Sequence, residues 1–142
     1  MDGAGWLGQD LLVEVEIPRG GKVKRRADGS VDYRSPIGAP FNYGCVPGEV
    51  GGDGDLLDAI VLGAPLAVGA RVGVRVVGVV LFTDRGQVDD KLVCSASGAA
   101  RARDRWVVEA FFRLLTPVRR ALHRLRGEPT GTFVRGIVWA RR

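Results

Sequence analysis

Hydrophobic and polar residues alternate near the start of the chain, in the pattern of a strand with one buried face. Within residues 11–17, valine and isoleucine occupy every second position and glutamates lie between them. Pro18 ends this strand, and a glycine-rich turn leads into a basic strand over residues 22–26. The Asp-Gly pair at residues 28–29 predicts a hairpin turn, from which the chain returns through residues 31–33.

Longer apolar segments follow in the second half of the chain. Residues 58–62 and 71–83 are predicted to be buried strands, and two glycines in the longer one suit the coiling of a small barrel. Residues 91–95 are expected to pair with residues 71–83 through the turn between them. Residues 131–139 end the chain as a further strand.

The remaining segments are predicted to be a loop and a helix. Residues 35–52 hold three prolines and five glycines, which favours a long loop. Residues 105–115 are predicted to be helical, with Pro117 interrupting the helix. An apolar stripe continues beyond the proline at helical spacing, over Val118, Ala121, Leu122 and Leu125. Five or more strands, mostly antiparallel, with one or two outer helices predict an α+β barrel.

Composition is that of a single globular unit. The chain has 142 residues, 46% hydrophobic and 26% charged, so we expect one domain over residues 1–142. Apolar runs fall short of the roughly 18 residues that cross a bilayer, and the N-terminus lacks the features of a secretory signal. Cys45 and Cys94 are too few for a disulfide framework and are expected to be reduced. These observations predict a cytoplasmic protein without a membrane partner.

The net charge of +5 is unevenly distributed. Residues 101–142 are basic, and such a surface can bind nucleic acid or small polyanions. Aromatic residues are not interleaved there as stacking platforms require, so we favour a solvated surface and do not expect nucleic acid as a partner. His123, the single histidine, is interpreted as a surface residue of the same basic helix face. Trp6, Trp106 and Trp139 are interpreted as core or interface residues.

Two groups of acids, within residues 53–58 and 84–91, flank an apolar strand. Carboxylates that converge repel one another and lose hydration, so they require compensating cations. Each group alone could be a solvated turn or a charged hairpin tip. An EF-hand is excluded, because Asp58 and Ala64 stand where that loop needs Gly and Glu. Together the groups predict a site for hard divalent ions, and so for phosphate chemistry.

The same motifs resemble the soluble inorganic pyrophosphatases over residues 15–93. The Asp-Gly-Asp-x-x-Asp element at residues 53–58 is the family's signature, and the Asp-x4-Asp-x-Lys element at residues 84–91 follows it at the expected place. Further matching elements are Val-Glu-Ile-Pro-Arg-Gly at residues 15–20, Asn-Tyr-Gly at 42–44 and Val-Gly-Val at 77–79.

The resemblance implies a fold, a reaction and a set of residues. The fold would be a small closed antiparallel OB-like five-stranded β-barrel with one or two flanking α-helices. The reaction would be hydrolysis of inorganic diphosphate to two phosphates by a metal-activated water, usually with Mg²⁺, in a homo-oligomer. Asp55 matches the residue that helps to deprotonate the attacking water. The residues matching metal ligands or a further active-site carboxylate are Asp53, Asp58, Asp84, Asp89 and Glu16. The residues matching catalytic or substrate-binding groups on the phosphates are Lys24, Tyr43 and Lys91, with Arg34 the nearest candidate for the family's arginine.

The departures from the family lie on the phosphate side of the site. Arg26 replaces an acid, Ala39 replaces a tyrosine, and residues 115–116 are Leu-Thr where the family has a Tyr-Lys pair. We therefore expect weakened activity, unless Arg26, Arg34 or an arginine from residues 119–126 compensates. Two alternatives stay open: a metal-dependent protein acting on a different diphosphate, and a non-catalytic binding module.

Overall fold

The computed structural model describes residues 3–26, 28–35 and 37–141. Pro36, in the segment predicted as a long loop, lies outside this range. In chain order the elements are a 3-10 turn at Gly3–Trp6, β1 (Asp10–Ile17), β2 (Val23–Arg25), β3 (Val31–Arg34), β4 (Asn42–Val50), β5 (Leu56–Val61), β6 (Arg71–Asp84), β7 (Gln87–Val88), β8 (Lys91–Ser95), α1 (Ala102–Leu125) and β9 (Phe133–Trp139).

Five strands close into a barrel in the order β1-β4-β5-β8-β6, because β1 pairs with both β4 and β6. The β5–β8 pair is parallel and the other barrel pairs are antiparallel. Strand β9 extends the sheet beside β6, and β2 and β3 form the predicted hairpin as a separate two-stranded sheet. The predicted α+β class and the small OB-like barrel are confirmed, with one flanking helix and a mostly antiparallel sheet.

Side chains alternate between two cores along the barrel strands. The barrel interior contains Val13, Leu57, Ala59, Val79 and Leu92 with their neighbours. The outer face carries a second core beneath α1, which includes Ile60, Val80, Phe82, Val93, Val108 and Phe112. Successive residues of a strand face opposite sides of the sheet. A polar residue that alternates with interior residues therefore points to the outer face of the barrel, as the residues of the second core do.

The segment predicted as a long loop contains a strand, and that prediction is wrong. Asn42–Cys45 pairs with β5 on one side, and β1 pairs on the other. The prolines misled the prediction, since Pro47 falls where the β4–β5 register shifts, between Cys45 and Val50. A residue without an N–H is tolerated at such an irregularity.

Helix α1 runs through Pro117 instead of stopping there, which corrects the predicted interruption. The proline removes one backbone donor, yet Phe112, Thr116 and His123 on both sides of it are buried. Tertiary packing of this face therefore outweighs the local cost of the proline. None of the helices in the described part of the chain is long and apolar enough to cross a membrane.

The three tryptophans differ in their surroundings. Trp6 packs against the barrel core, and Trp139 packs against Gly78 with the Arg105 guanidinium 5.2 Å from its ring. Trp106 is 70% exposed, so it is not a core residue.

Candidate active site

The parallel pairing of β5 and β8 brings the two acid groups together. Asp58 and Lys91 are register partners across this pair. The Lys91 ammonium lies 2.5 Å from the Asp58 carboxylate and 2.7 Å from that of Asp89. One cation from the second motif therefore sits between a carboxylate of each motif.

These side chains lie on the outer face of the barrel. Asp58 stands between the interior residues Leu57 and Ala59, and Lys91 precedes the interior residue Leu92. The Lys91 ammonium is 6.0 Å from the centre of the Tyr43 ring, and its side chain is 9% exposed. The ammonium thus lies over an aromatic ring and beside two carboxylates.

Asp89 lies in a field of like charge. Burial raises the pKa of Asp89 to about 7, Lys91 opposes the rise, and the nearby carboxylates of Asp58 and Asp53 add to it. Burial also works against the Lys91 charge, but Asp58 and Asp89 outweigh it and raise the pKa of Lys91. The negative charge of the carboxylates here exceeds the single positive charge of Lys91, which favours binding of a further cation.

Asp53 and Asp55 occupy a tight turn before β5. The Asp55 amide donates to the Asp53 carboxylate at 3.1 Å, and the Gly51 amide donates to the Asp55 carbonyl at 2.7 Å. Gly54 has a φ of 88°, which the turn requires. The turn leaves Asp55 exposed, so its carboxylate is accessible to water.

Glu16 and Lys24 border the site from β1 and β2. The Lys24 ammonium lies 3.8 Å from the Glu16 carboxylate and 3.7 Å from that of Asp32. Burial raises the pKa of Glu16, Lys24 counters it, and Asp58 adds a smaller rise, so Glu16 lies within electrostatic reach of Asp58. Arg34, on β3, is exposed.

Asp84 has a separate set of partners. The Arg119 guanidinium donates to its carboxylate at 2.7 Å and the Thr132 hydroxyl donates at 3.0 Å. Arg85 is 3.9 Å away. Burial opposes ionisation, but these donors prevail and hold the pKa of Asp84 below its usual range.

His123 belongs to the same cluster and is buried, which corrects its interpretation as a surface residue. Its Nδ1 is 3.2 Å from the Thr132 hydroxyl, and its Nε2 is 4.0 Å from the Asp84 carboxylate. The basic sequence around His123 suggested solvent, but the helix turns this position toward the end of β6. No pattern in the sequence indicated that Thr132 and His123 would lie beside Asp84.

Arg26, Thr116 and Arg119 lie at or near positions where phosphate-binding side chains of the family are missing, and their contacts differ. Arg26 bonds the Val31 carbonyl at 2.8 Å and pairs with Asp32 at 3.4 Å, within the hairpin. The Thr116 hydroxyl donates to the Phe112 carbonyl at 2.7 Å, so it serves the helix. Arg119, within the range that the sequence suggested, reaches Asp84.

Whether a metal fits can be judged from the donors. Among the described residues, no three carboxylate, imidazole or thiol groups are arranged to hold one ion. Mg²⁺, however, often binds through one or two carboxylates and keeps several waters. Asp58 and Asp89 are two hard oxygen donors that already converge on one cationic group. The donor set therefore fits Mg²⁺, while the ligand list itself stays a prediction.

Comparison with known proteins gives a consistent family. The family model described as inorganic pyrophosphatase matches residues 13–112. An inorganic pyrophosphatase of Neisseria meningitidis is 41% identical over 92 residues, which cover 59% of this chain and 52% of the relative. One of Streptomyces coelicolor is 36% identical over 113 residues, covering 72% and 69%. The chain thus spans about half the length of the Neisseria relative.

Solved structures agree over most of the chain. A crystal structure of an inorganic pyrophosphatase from Neisseria gonorrhoeae has a TM-score of 0.71 at 30% identity, covering 93% of this chain and 83% of that one. The one from Thermus thermophilus has a TM-score of 0.72 at 26% identity, covering 98% and 86%.

Proposed function

This chain belongs to the inorganic pyrophosphatase family, and on that premise we propose that it hydrolyses inorganic diphosphate to two phosphates with Mg²⁺. The observation that supports this best is the meeting of Asp58, Asp89 and Lys91 on the partly open outer face of the barrel. It places excess carboxylate charge beside an ammonium, which suits a metal ion and a phosphate group together.

We propose Asp58 and Asp89 as the central metal ligands, with Asp53 and Glu16 contributing nearby. Both outer groups lie within electrostatic reach of the central pair. When bound, Mg²⁺ would neutralise phosphate charge and make water more acidic. Asp84 is considered separately below, because its carboxylate has cationic partners of its own.

The phosphate-binding groups would be Lys91, Lys24 and Tyr43, with Arg34 at the edge. A lysine that is charged cannot ligate a metal, so Lys91 and Lys24 belong on phosphate oxygens. Asp55 is proposed to accept the proton of the attacking water, since its carboxylate is exposed at the rim.

We expect slower turnover than in relatives that have the Tyr-Lys pair. Leu115 packs against the core beneath α1, and the Thr116 hydroxyl donates within the helix, so neither offers a donor to phosphate. A lost charged hydrogen bond costs about 1.5–3 kcal/mol. This is the reason to keep a different diphosphate substrate as the alternative.

The test is phosphate release from diphosphate with and without Mg²⁺, in the wild type and Asp55→Asn. We expect release that chelation abolishes and that Asp55→Asn lowers by about 100-fold, as for loss of a general base. Glu49→Gln is the matched control, because Glu49 is an exposed acid on neighbouring β4. Release from an organic diphosphate but not from inorganic diphosphate would favour the alternative substrate. No release from either would favour a binding module.

We also propose a homo-oligomer, supported by an apolar stripe on α1. Leu114, Val118, Leu122 and Leu125 recur at helical spacing and are 44–84% exposed. Light scattering after chromatography should give a multiple of 15.2 kDa, and Leu114→Glu with Leu122→Glu should reduce it. A monomeric wild type would contradict this proposal. The cytoplasmic location and the absence of nucleic-acid binding stay predictions.

A further inference from the structure

We infer that Asp84 is not a metal ligand in this chain and that Arg119 supplies a fixed internal cation in its place. The inference rests on the proposed function, since it concerns how the same site divides its charges. It departs from the ligand set implied by the resemblance, in which Asp84 stood beside Asp58 and Asp89.

Both carboxylate oxygens of Asp84 already accept a hydrogen bond from a neighbouring side chain. One carboxylate oxygen accepts the Thr132 hydroxyl at 3.0 Å, and the other accepts the Arg119 guanidinium at 2.7 Å. The side chain is 9% exposed. A metal ion at this carboxylate would have to displace a bonded, partly buried guanidinium and leave it unpaired, which is costly.

The balance of charge differs between the two clusters. In the first cluster, the Lys91 ammonium lies within 2.7 Å of two carboxylates, those of Asp58 and Asp89. Around Asp84, one carboxylate has Arg119 at 2.7 Å and Arg85 at 3.9 Å. Arg85 is shared with Glu128 at 3.2 Å, so this second cluster is neutralised internally. A divalent cation is attracted to the first cluster and gains little at the second.

The helix explains how Arg119 arrives at Asp84. Arg119 and His123 are four residues apart on α1, so they share the helix face that packs toward Asp84. Arg120 donates to the Thr132 carbonyl at 2.5 Å and holds the segment before β9 against the helix. All three residues follow Pro117, and they reach this place because the helix continues past the proline.

The experiment measures Mn²⁺ binding without substrate, by electron paramagnetic resonance of the free ion and by calorimetry. Wild type is compared with Asp84→Asn and Asp89→Asn. We expect Asp84→Asn to keep the wild-type stoichiometry and affinity, and Asp89→Asn to weaken binding by about 10- to 100-fold or more. Equal weakening by the two variants, or a lower stoichiometry in Asp84→Asn, would overturn the inference and leave the proposed hydrolysis standing. A wild type that binds no Mn²⁺ would remove both.

A second variant serves if Asp84→Asn does not fold. Arg119→Met releases the Asp84 carboxylate, so we expect one additional Mn²⁺ per chain. If Asp84 already binds metal, the same variant raises affinity without raising the number of ions, and the inference fails. Arg113→Met is the matched control, because Arg113 is exposed on the same helix. It should leave both the number of ions and their affinity unchanged.

Discussion

The Lys91 ammonium lies 2.5 Å from the carboxylate of Asp58, its register partner across the parallel β5–β8 pair. This pairing joins two motifs that are far apart in sequence. We therefore expect Lys91→Met to lower kcat/KM for diphosphate by about 10- to 100-fold, as for a charge-assisted contact worth about 1.5–3 kcal/mol. The variant should also tighten Mg²⁺ binding, because Asp58 and Asp89 lose their internal cation.

Lys22→Met is the control for this substitution. Lys22 is an exposed lysine that precedes β2 and has no place in the site. Its variant should retain wild-type kinetics. Steady-state phosphate release and metal titration of both variants check the prediction, and a Lys91→Met enzyme with unchanged kcat/KM would contradict it.

Asp90 has a structural role that is distinct from that of its neighbours. Its carboxylate accepts the Phe82 amide at 3.0 Å, the Gly3 amide at 3.2 Å and the Arg135 guanidinium at 2.5 Å. The side chain is 5% exposed. Asp90→Ala leaves buried donors without acceptors, so we expect a loss of at least about 2 kcal/mol in the free energy of unfolding.

Urea denaturation of Asp90→Ala and Asp10→Ala measures this loss. Asp10 pairs with Arg75 at 2.9 Å, but that pair is exposed on the surface. Asp10→Ala should therefore leave the urea midpoint unchanged. Equal midpoints for the two variants would show that the Asp90 bonds contribute nothing measurable.

Gly44 marks a close approach between β4 and β1. A Cβ at this position would overlap the carbonyl of Glu14, which is backbone and cannot rotate away. We expect Gly44→Ala to destabilise the protein by about 1–3 kcal/mol or more. Gly73→Ala is the matched control, since a Cβ there meets no atom within 4 Å. Thermal melting should separate the two variants, and a Gly44→Ala melting temperature equal to that of Gly73→Ala would refute the close approach.

Periodicity predicted the barrel because its strands have two different faces. The alternation over residues 11–17 gave β1, and the apolar runs gave β5, β6 and β8 close to their observed bounds. The strand at residues 42–50 was missed because proline and glycine there mark an irregular register, and composition cannot separate that from a loop. The predicted interruption of the helix at Pro117 was wrong because burial of the helix face, which composition does not reveal, decides whether the helix continues.

The candidate site was partly readable from spacing. Acids beside strand ends predicted that the two groups would converge, and the structure places Asp58 of the first group beside Asp89 and Lys91 of the second. The partners of Asp84 were not readable, because Arg119 and Thr132 reach it from a helix and from the segment before β9. Such contacts depend on helix rotation, which one sequence does not specify. The roles of the predicted ligands stay predictions until metal binding is measured.

The buried Cys94 thiol makes the stability of the protein depend on pH in the alkaline range. The thiol is fully buried in β8, and burial raises its pKa from 9.0 to about 12. Between these values the unfolded thiol ionises and the folded one does not. The stabilising contribution is therefore complete below pH 9 and is lost as the pH rises toward 12, at about 1.4 kcal/mol per pH unit.

The measurement is urea denaturation of wild type and Cys94→Ala at pH 8 and pH 10.5. Removing the methyl-sized sulfur leaves a small cavity, so the variant should be less stable at pH 8. The variant has no thiol at this position to ionise, so its stability does not change with pH in this way. The difference in free energy of unfolding between the two proteins should therefore shrink by about 2 kcal/mol at pH 10.5. Comparing two proteins cancels the titration of lysine and tyrosine, which they share. A gap that stays constant over this range would mean that the Cys94 thiol ionises as readily in the folded protein as in the unfolded chain.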